Sequence, residues 1–119
     1  MSRNRQHTTA VSMSIPAYER DVTVVATAVD LVISLPPAGS GTKGNTVRVV
    51  AGIASTVTGL SLSPAASDKI QGTGITAADD KDLINTAATD AVGDCLEVVC
   101  DGVDGWWITG KIGTWARQA

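Results

Sequence analysis

The sequence is short of the residues on which most catalytic and metal sites depend. His7 is the one histidine among 119 residues, and it lies near the start of the chain. Its position argues against nucleophile systems of the Ser-His or Cys-His type and against histidine-based zinc sites. The glycine-rich stretches at 39–41 and 72–74 do not fit a phosphate-binding loop. We therefore expect no enzyme activity, no metal and no cofactor.

Charged residues are also scarce, at 18% of the chain against about 25% in typical soluble domains. The net charge is −3, which argues against nucleic acid as a partner because nucleic-acid binders usually present a basic face. The first 20 residues differ, since Arg3, Arg5 and Arg20 outweigh Glu19. Such a basic segment is typical of a disordered tail or of an arm that docks on an acidic partner.

Long apolar runs are missing as well. No stretch approaches the 18 or more apolar residues of a membrane span, and Met1 to Thr9 lacks the apolar segment of a secretion signal. We expect a protein made in the cytoplasm and without a membrane partner. Cys95 and Cys100 stand an odd number of positions apart on one predicted strand, hence on opposite faces and about 16 Å apart. That separation exceeds the reach of a disulfide, so both are expected to be free thiols.

What the chain has in quantity is valine, alanine, threonine and glycine, a composition that favours strands and tight turns. Alternation of apolar and polar residues predicts strands, which we place at 21–28, 30–35, 46–51, 56–63 and 106–109, with Cys95 and Cys100 together on one further strand. Short edge strands are possible at 83–86 and 91–92 and a final one at 112–115. The pattern indicates an all-β fold, a jelly-roll-like sandwich or small barrel of about six to eight short antiparallel strands. Residues 1–14 are expected to form a flexible basic arm and residues 15–119 a single β-rich domain.

Residues 76–92 are ambiguous. Thr76 could cap a short helical turn, or the segment could be a solvated loop with a brief strand, which we favour. Asp79, Asp80 and Asp82 suggest calcium, but their spacing does not match an EF-hand loop. A solvated loop explains these residues without a bound ion.

The three tryptophans are concentrated in the C-terminal stretch DCLEVVCDGVDGWWITGKIGTW. Asp101 and Asp104 flank glycines there and are interpreted as turn residues rather than as an acid-base pair. In an extended strand Trp106 and Trp107 point to opposite faces, so one can enter the core while the other is exposed. We treat Trp106, Trp107 and Trp115 as core or interface anchors, with Trp107 the better candidate for exposure. An outward tryptophan fits a protein interface or stacking on a sugar.

Several segments resemble small structural proteins of tailed bacteriophages. They are LPPAGSG (35–41), TVRVVAG (46–52), LSLSPAASDKIQG (60–72) and the closing hairpin CDGVDGWWITGKIGTW, so that the similarity covers Val22 to Trp115. Within that group the chain is most similar to capsid decoration (cement) proteins, and it shares features with β-domains of head and tail fibres.

The resemblance implies a β-rich virion protein on the outer capsid surface. It would stabilise the head by bridging subunits of the major capsid protein and would form a homodimer or homotrimer. The N-terminal arm with Arg3, Arg5 and His7 would then contact the capsid. The alternative that the resemblance leaves open is a trimeric head- or tail-fibre module that binds a host-surface glycan.

Overall fold

Strands account for the regular secondary structure in the part of the chain that the computed structural model describes, residues 5–119. There are eleven: β1 (Arg5–Thr9), β2 (Met13–Ser14), β3 (Asp21–Ala26), β4 (Val32–Ser34), β5 (Thr46–Ala51), β6 (Gly59–Ser63), β7 (Lys69–Gln71), β8 (Leu83–Thr86), β9 (Cys95–Cys100), β10 (Gly105–Ile112) and β11 (Trp115–Arg117). In β3, β5 and β9 buried and half-buried residues alternate, as the apolar pattern of these segments requires. The all-β prediction is confirmed.

Two mixed sheets contain these strands. Sheet A has six strands in the order β1-β3-β5-β9-β10-β7, and sheet B has five in the order β11-β8-β6-β4-β2. From β1 to β9 the chain moves to the other sheet after every strand. The pairs β1–β3, β3–β5, β2–β4 and β4–β6 are parallel. The first six strands thus form three stacked layers, which we call rungs. Each rung has one strand in sheet A and the next strand of the chain in sheet B: β1 with β2, β3 with β4, and β5 with β6.

This topology differs from the predicted antiparallel jelly roll of six to eight strands. Antiparallel pairs do occur at β5–β9, β9–β10, β6–β8 and β8–β11, but the N-terminal half is parallel. Apolar alternation indicates which face of a strand is buried, but it does not indicate the direction in which the strand runs. A parallel pair needs a crossover connection, which the intervening strand of the other sheet supplies here. The crossover does not by itself fix the direction, because β6 and β8 are also separated by a strand of the other sheet and pair antiparallel.

The N-terminal segment also differs from the expected flexible arm. Arg5–Thr9 pairs along its whole length with β3, and Met13–Ser14 pairs with β4. The loop after β2 is fixed to the body as well, because Ile15 N donates to Ser34 O at 2.8 Å. Residues 5–14 are therefore the first rung of the fold. Backbone hydrogen bonds hold this rung in place, which explains why its polar sequence did not reveal it.

The inner faces of the two sheets share one hydrophobic core. Its largest fully buried side chain is Trp106 of sheet A, and sheet B contributes the fully buried Ile33 and Leu62. Small and β-branched residues fill most of the remaining space, as the composition requires. The acidic stretch before β8 is a loop, which confirms the favoured interpretation. Among residues 5–119 there is no helix long and apolar enough to cross a membrane.

Asp30 fixes a corner between the sheets. Its Oδ1 accepts hydrogen bonds from the backbone N–H groups of Gly59, Thr58 and Val57 at 2.9–3.2 Å, and its Oδ2 accepts from the Thr56 hydroxyl. These donors, that of Gly59 first, lower the pKa of the Asp30 carboxyl below its ordinary value of 3.8. Asp30 also adopts a left-handed conformation with φ 57°, which aspartate tolerates better than most residues.

Candidate functional site

The tryptophan hairpin separates its two adjacent rings. Trp106 is fully buried and lies beside Cys100 of β9 and Ile70 of β7, whereas Trp107 is 48% exposed beside Val99. This is the division that strand alternation predicts. Trp115 is buried, and its indole Nε1 donates to the Ile112 carbonyl at 3.0 Å. Trp107 is therefore the ring of the three that can meet a partner.

Sheet A continues past the point where the sequence predicted a break. β10 runs to Ile112 through a bulge between Ile108 and Gly110. The bulge places the Thr109 hydroxyl against Glu97 of β9, whose Oε1 accepts a hydrogen bond at 2.9 Å. Because a bulge adds one residue to one strand, the residues beyond it change phase. Ile112 consequently lies beside Cys95 and is 61% exposed.

An apolar row crosses the outer face of sheet A at this end. Strand registers align Ile112, Cys95, Val50 and Val25 side by side across four strands. Cys95, Val50 and Val25 are half-buried, and Ile112 is exposed. Such neighbours form a continuous strip because cross-strand side chains lie about 5 Å apart. The consecutive valines of β3 and β5 are its sequence signal, since a strand with apolar residues at both parities has two apolar faces.

A polar row separates this strip from Trp107. Arg48 and Glu97 form an ion pair directly across β5 and β9, and Arg48 Nη1 also donates to Thr23 Oγ1 at 3.4 Å. On the far side of the ion pair, Trp107 and Val99 supply a second apolar pair. The outer face thus has a central ion pair, in which the two charges balance each other, with apolar residues on both sides of it. We call this surface the sheet A outer face: Trp107, Val99, Glu97, Arg48, Ile112, Cys95, Val50 and Val25.

The residues that were predicted to form a capsid-contact arm, Arg3, Arg5 and His7, are not among the residues of the sheet A outer face. Arg3 lies outside the described residues. Arg5 and His7 belong to β1, which is an edge strand of sheet A. His7 Nε2 lies 2.8 Å from Oε2 of Glu19, a residue that is 8% exposed. This contact ties the edge strand to the loop before β3, so His7 has a structural partner within the chain.

Three of the acidic residues considered as chemical groups, Asp80, Asp101 and Asp104, have structural partners within the chain. Asp101 Oδ1 accepts from the backbone N–H groups of Val103, Asp104 and Gly105, which confirms it as a turn residue. Asp104 pairs with Lys69 Nζ at 3.2 Å. Asp80 Oδ1 accepts from Ser67 N. Within residues 5–119 there is no cluster of three or more His, Cys, Asp or Glu side chains able to hold a metal ion.

The stretch that begins at Gly39 was not expected to fit a phosphate-binding loop, although 39–44 reads GSGTKG and so has the glycine spacing of a dinucleotide-binding motif. Phosphate binding by that motif requires a helix N-terminus directly after it. Here the loop leads into β5, and Thr42 Oγ1 closes it with hydrogen bonds to Pro37 O and Gly39 O. Thr42 also contacts the buried Cys100 thiol at 3.4 Å. The segment is a closed structural turn.

The two cysteines are free and lie on opposite faces of β9, as the odd spacing predicts: Cys100 is buried, and Cys95 is half-buried on the outer face.

No protein-family model matches the chain, and comparison with curated proteins found no match. The surface chemistry itself must therefore support any functional conclusion.

Proposed function

We propose that this protein is a capsid decoration protein of a tailed bacteriophage. It binds the major capsid protein on the outside of the head through the sheet A outer face, and it acts as a homo-oligomer. The observation that carries the proposal is the arrangement of that face, with exposed Trp107 and Ile112 on either side of a compensated ion pair. Aromatic anchors with few uncompensated charges are the composition of protein-binding surfaces. The resemblance of 22–115 to phage structural proteins supplies the class of partner.

The size of the face argues for several weak contacts instead of one strong contact. Its three rows extend about 14 Å across four strands and about 14 Å along them, or roughly 200 Å². A standard stable interface buries about 800 Å² on each partner. One face therefore provides less than half of the usual area. Self-association of the protein offsets this deficit, because a second linked contact raises the overall affinity without any new type of contact.

The direct test is a count of copies on purified virions. A decoration protein is recovered at hundreds of copies per head, whereas recovery of a few copies, or at the tail alone, contradicts the proposal. The variant W107S/I112S is expected to reduce the bound copies at least tenfold. V57S is the matched control, since Val57 is 81% exposed but lies in the loop between β5 and β6. Equal loss for both variants would mean that the sheet A outer face is not the contact.

A second function is favoured by one observation at Trp107. Its half-exposed ring lies beside Gln71 of β7, and small-molecule sites combine aromatic side chains with a few polar groups such as an amide. In this alternative the protein is a head- or tail-fibre module that binds a host-surface glycan. Glycan-array binding by the free protein that is lost in W107A would support it. Under the decoration proposal the free protein gives no array signal, and capsid binding depends on Ile112 as much as on Trp107.

A further inference from the structure

The three-rung stack ends in two open sheet edges on the same side of the molecule. β1 is the first strand of sheet A, and β2 is the last strand of sheet B. Residues 10–12 alone connect them, so both edges lie together at the N-terminal end. Among residues 5–119, no strand pairs with the outer side of either one. An open edge presents free backbone donors and acceptors to any strand that approaches it.

The direction of the free groups in β1 follows from its pairing with β3. Thr27 N donates to Thr9 O at 2.8 Å, so Thr9 directs its backbone groups toward β3. In a parallel pair, alternate residues bond to the same neighbour. Arg5 and His7 therefore share the direction of Thr9. Gln6 and Thr8 direct both their N–H and their C=O groups outward.

This edge has few of the features by which proteins prevent edge-to-edge pairing. Such features are short strands, charged side chains (lysine above all), proline or a bulge. β7, at the other edge of sheet A, has three residues and begins with Lys69. By contrast β1 has five residues, is regularly paired, and contains no lysine or proline in the sequence RQHTT; its one charged side chain is Arg5, at the first position. The chain protects one edge of sheet A and leaves the other available.

We propose that β1 pairs with β1 of a second copy of this chain in an antiparallel register centred on His7. A two-fold axis perpendicular to both sheets makes β1, and equally β2, antiparallel to its copy. Gln6 then lies opposite Thr8 of the other copy, and all outward backbone groups of the two residues form hydrogen bonds, four in total. Registers centred on Gln6 or on Thr8 pair fewer of these groups.

The side chains are compatible with a second copy as the occupant. In this register Arg5 lies opposite the uncharged Thr9, so the one cation of the strand does not face another. Gln6 and Thr8 lie on the outer side with Thr23 and Val25, their β3 neighbours. The pairing makes the outer faces of both A sheets continuous. It rests on the proposed function in that it supplies the self-association required there, and its test needs no capsid. Failure of the pairing and failure of capsid binding are therefore separate results.

The first experiment measures self-association of the full chain by sedimentation from about 10 μM to about 1 mM, a range suited to a small polar interface. A concentration-dependent dimer is expected; a monomer throughout, or a trimer, overturns the proposal. T8P removes an outward N–H group and leaves the bonds to β3 intact, because proline is tolerated at such edge positions. We expect it to weaken dimerisation at least tenfold. T8V keeps the N–H group and should stay within about twofold of wild type.

A pair of double variants tests the register and does not depend on whether T8P folds. Q6E/T8K places opposite charges across the pairing twice, and Q6K/T8K places like charges there. We expect dimerisation at least tenfold tighter for Q6E/T8K at low salt. The net charge of the whole chain would by itself favour tighter dimerisation of Q6K/T8K, because two copies with a smaller net charge repel each other less. Q6K/T8K changes the net charge from −3 to −1, and Q6E/T8K leaves it at −3. Equal affinities, or tighter pairing of Q6K/T8K, would refute the register.

Discussion

Gly59 is the position where the fold should be least tolerant of a single methyl group. It begins β6 with φ +118°, a conformation that L residues rarely adopt. A Cβ added there would collide with the backbone carbonyl oxygen of Asn85 on the neighbouring strand β8. The carbonyl belongs to a sheet ladder and cannot rotate away as the end of a flexible side chain can. Gly59→Ala therefore combines backbone strain with a collision between strands.

The magnitude follows from these two contributions. An alanine at such a φ costs about 1–3 kcal/mol. Separating β6 from β8 at this point weakens about two backbone hydrogen bonds, each worth about 1 kcal/mol. The free energy of unfolding should fall by about 3–5 kcal/mol, out of the roughly 5–15 kcal/mol typical of a domain. For a chain of this length that corresponds to a fall in Tm of about 12–20 °C.

The assay is urea and thermal unfolding of four glycine-to-alanine variants that separate the two causes. G93A has positive φ (+97°) and no atom within 4 Å of the added Cβ, so it reports strain alone. G52A places its Cβ 2.5 Å from Ala26 O without positive φ and reports collision alone. G41A has neither and should be neutral or slightly stabilising. If G59A is no less stable than G93A, the strands separate at little cost and the reasoning fails.

Three further predictions concern single side chains. Trp106→Leu should lower the free energy of unfolding by about 2–3 kcal/mol and Trp107→Leu by less than about 1 kcal/mol, because one ring is buried and the other half-exposed; equal losses in urea unfolding would contradict this division. The depressed pKa of Asp30 stabilises the fold above pH 3.8, an effect that is lost as pH falls through the lower folded-state pKa. Asp30→Asn should thus be less stable than wild type at neutral pH and nearly equal to it in strong acid, and a difference independent of pH would refute the charge effect. In native buffer iodoacetamide should modify Cys95 alone, and Cys100 should react only in urea; two adducts per native chain by mass spectrometry would contradict the burial of Cys100.

The strands that form the core could be predicted because their sequences carry the burial pattern directly. Thr46–Ala51 was predicted with the bounds that the structure shows, and one strand was predicted to contain both Cys95 and Cys100, as β9 does. Both have branched or apolar residues on the inner face and neighbours on two sides. For central strands of this kind, side-chain burial and backbone pairing favour the same segment.

The polar edge strand could not be predicted in the same way. RQHTT has no apolar residue to bury, and its residues are exposed or half-buried. Its strand conformation comes from backbone hydrogen bonds to β3, which any sequence without proline can make. The parallel pairing of β1, β3 and β5 was not predicted either, because the segments between paired residues differ in length. Arg5 pairs with Val22, whereas Asp21 pairs with Thr46. No fixed sequence period marks the stack, and so no repeat was visible.

The sheet A outer face could be predicted from the sequence only in part. The division of Trp106 from Trp107 follows from alternation, but the alignment of Ile112 with Cys95, Val50 and Val25 depends on a bulge and on three strand registers. Registers are set by turn geometry and by core packing between distant segments. The residues that would bind a partner could thus be named in part from the sequence, whereas their assembly into one surface could not.

Placing residues 5–14 within the sheets changes how their role has to be tested. Deleting 1–14 is the obvious experiment for an arm, but here it removes β1 and β2 together with the His7–Glu19 contact. It also exposes the edge of β3, a six-residue strand with three buried apolar side chains. Lost capsid binding after such a deletion would have two explanations, a missing contact or a damaged body. A single proline at Thr8 removes one outward hydrogen-bond donor and leaves the rung in place, so it tests the edge without dismantling the fold.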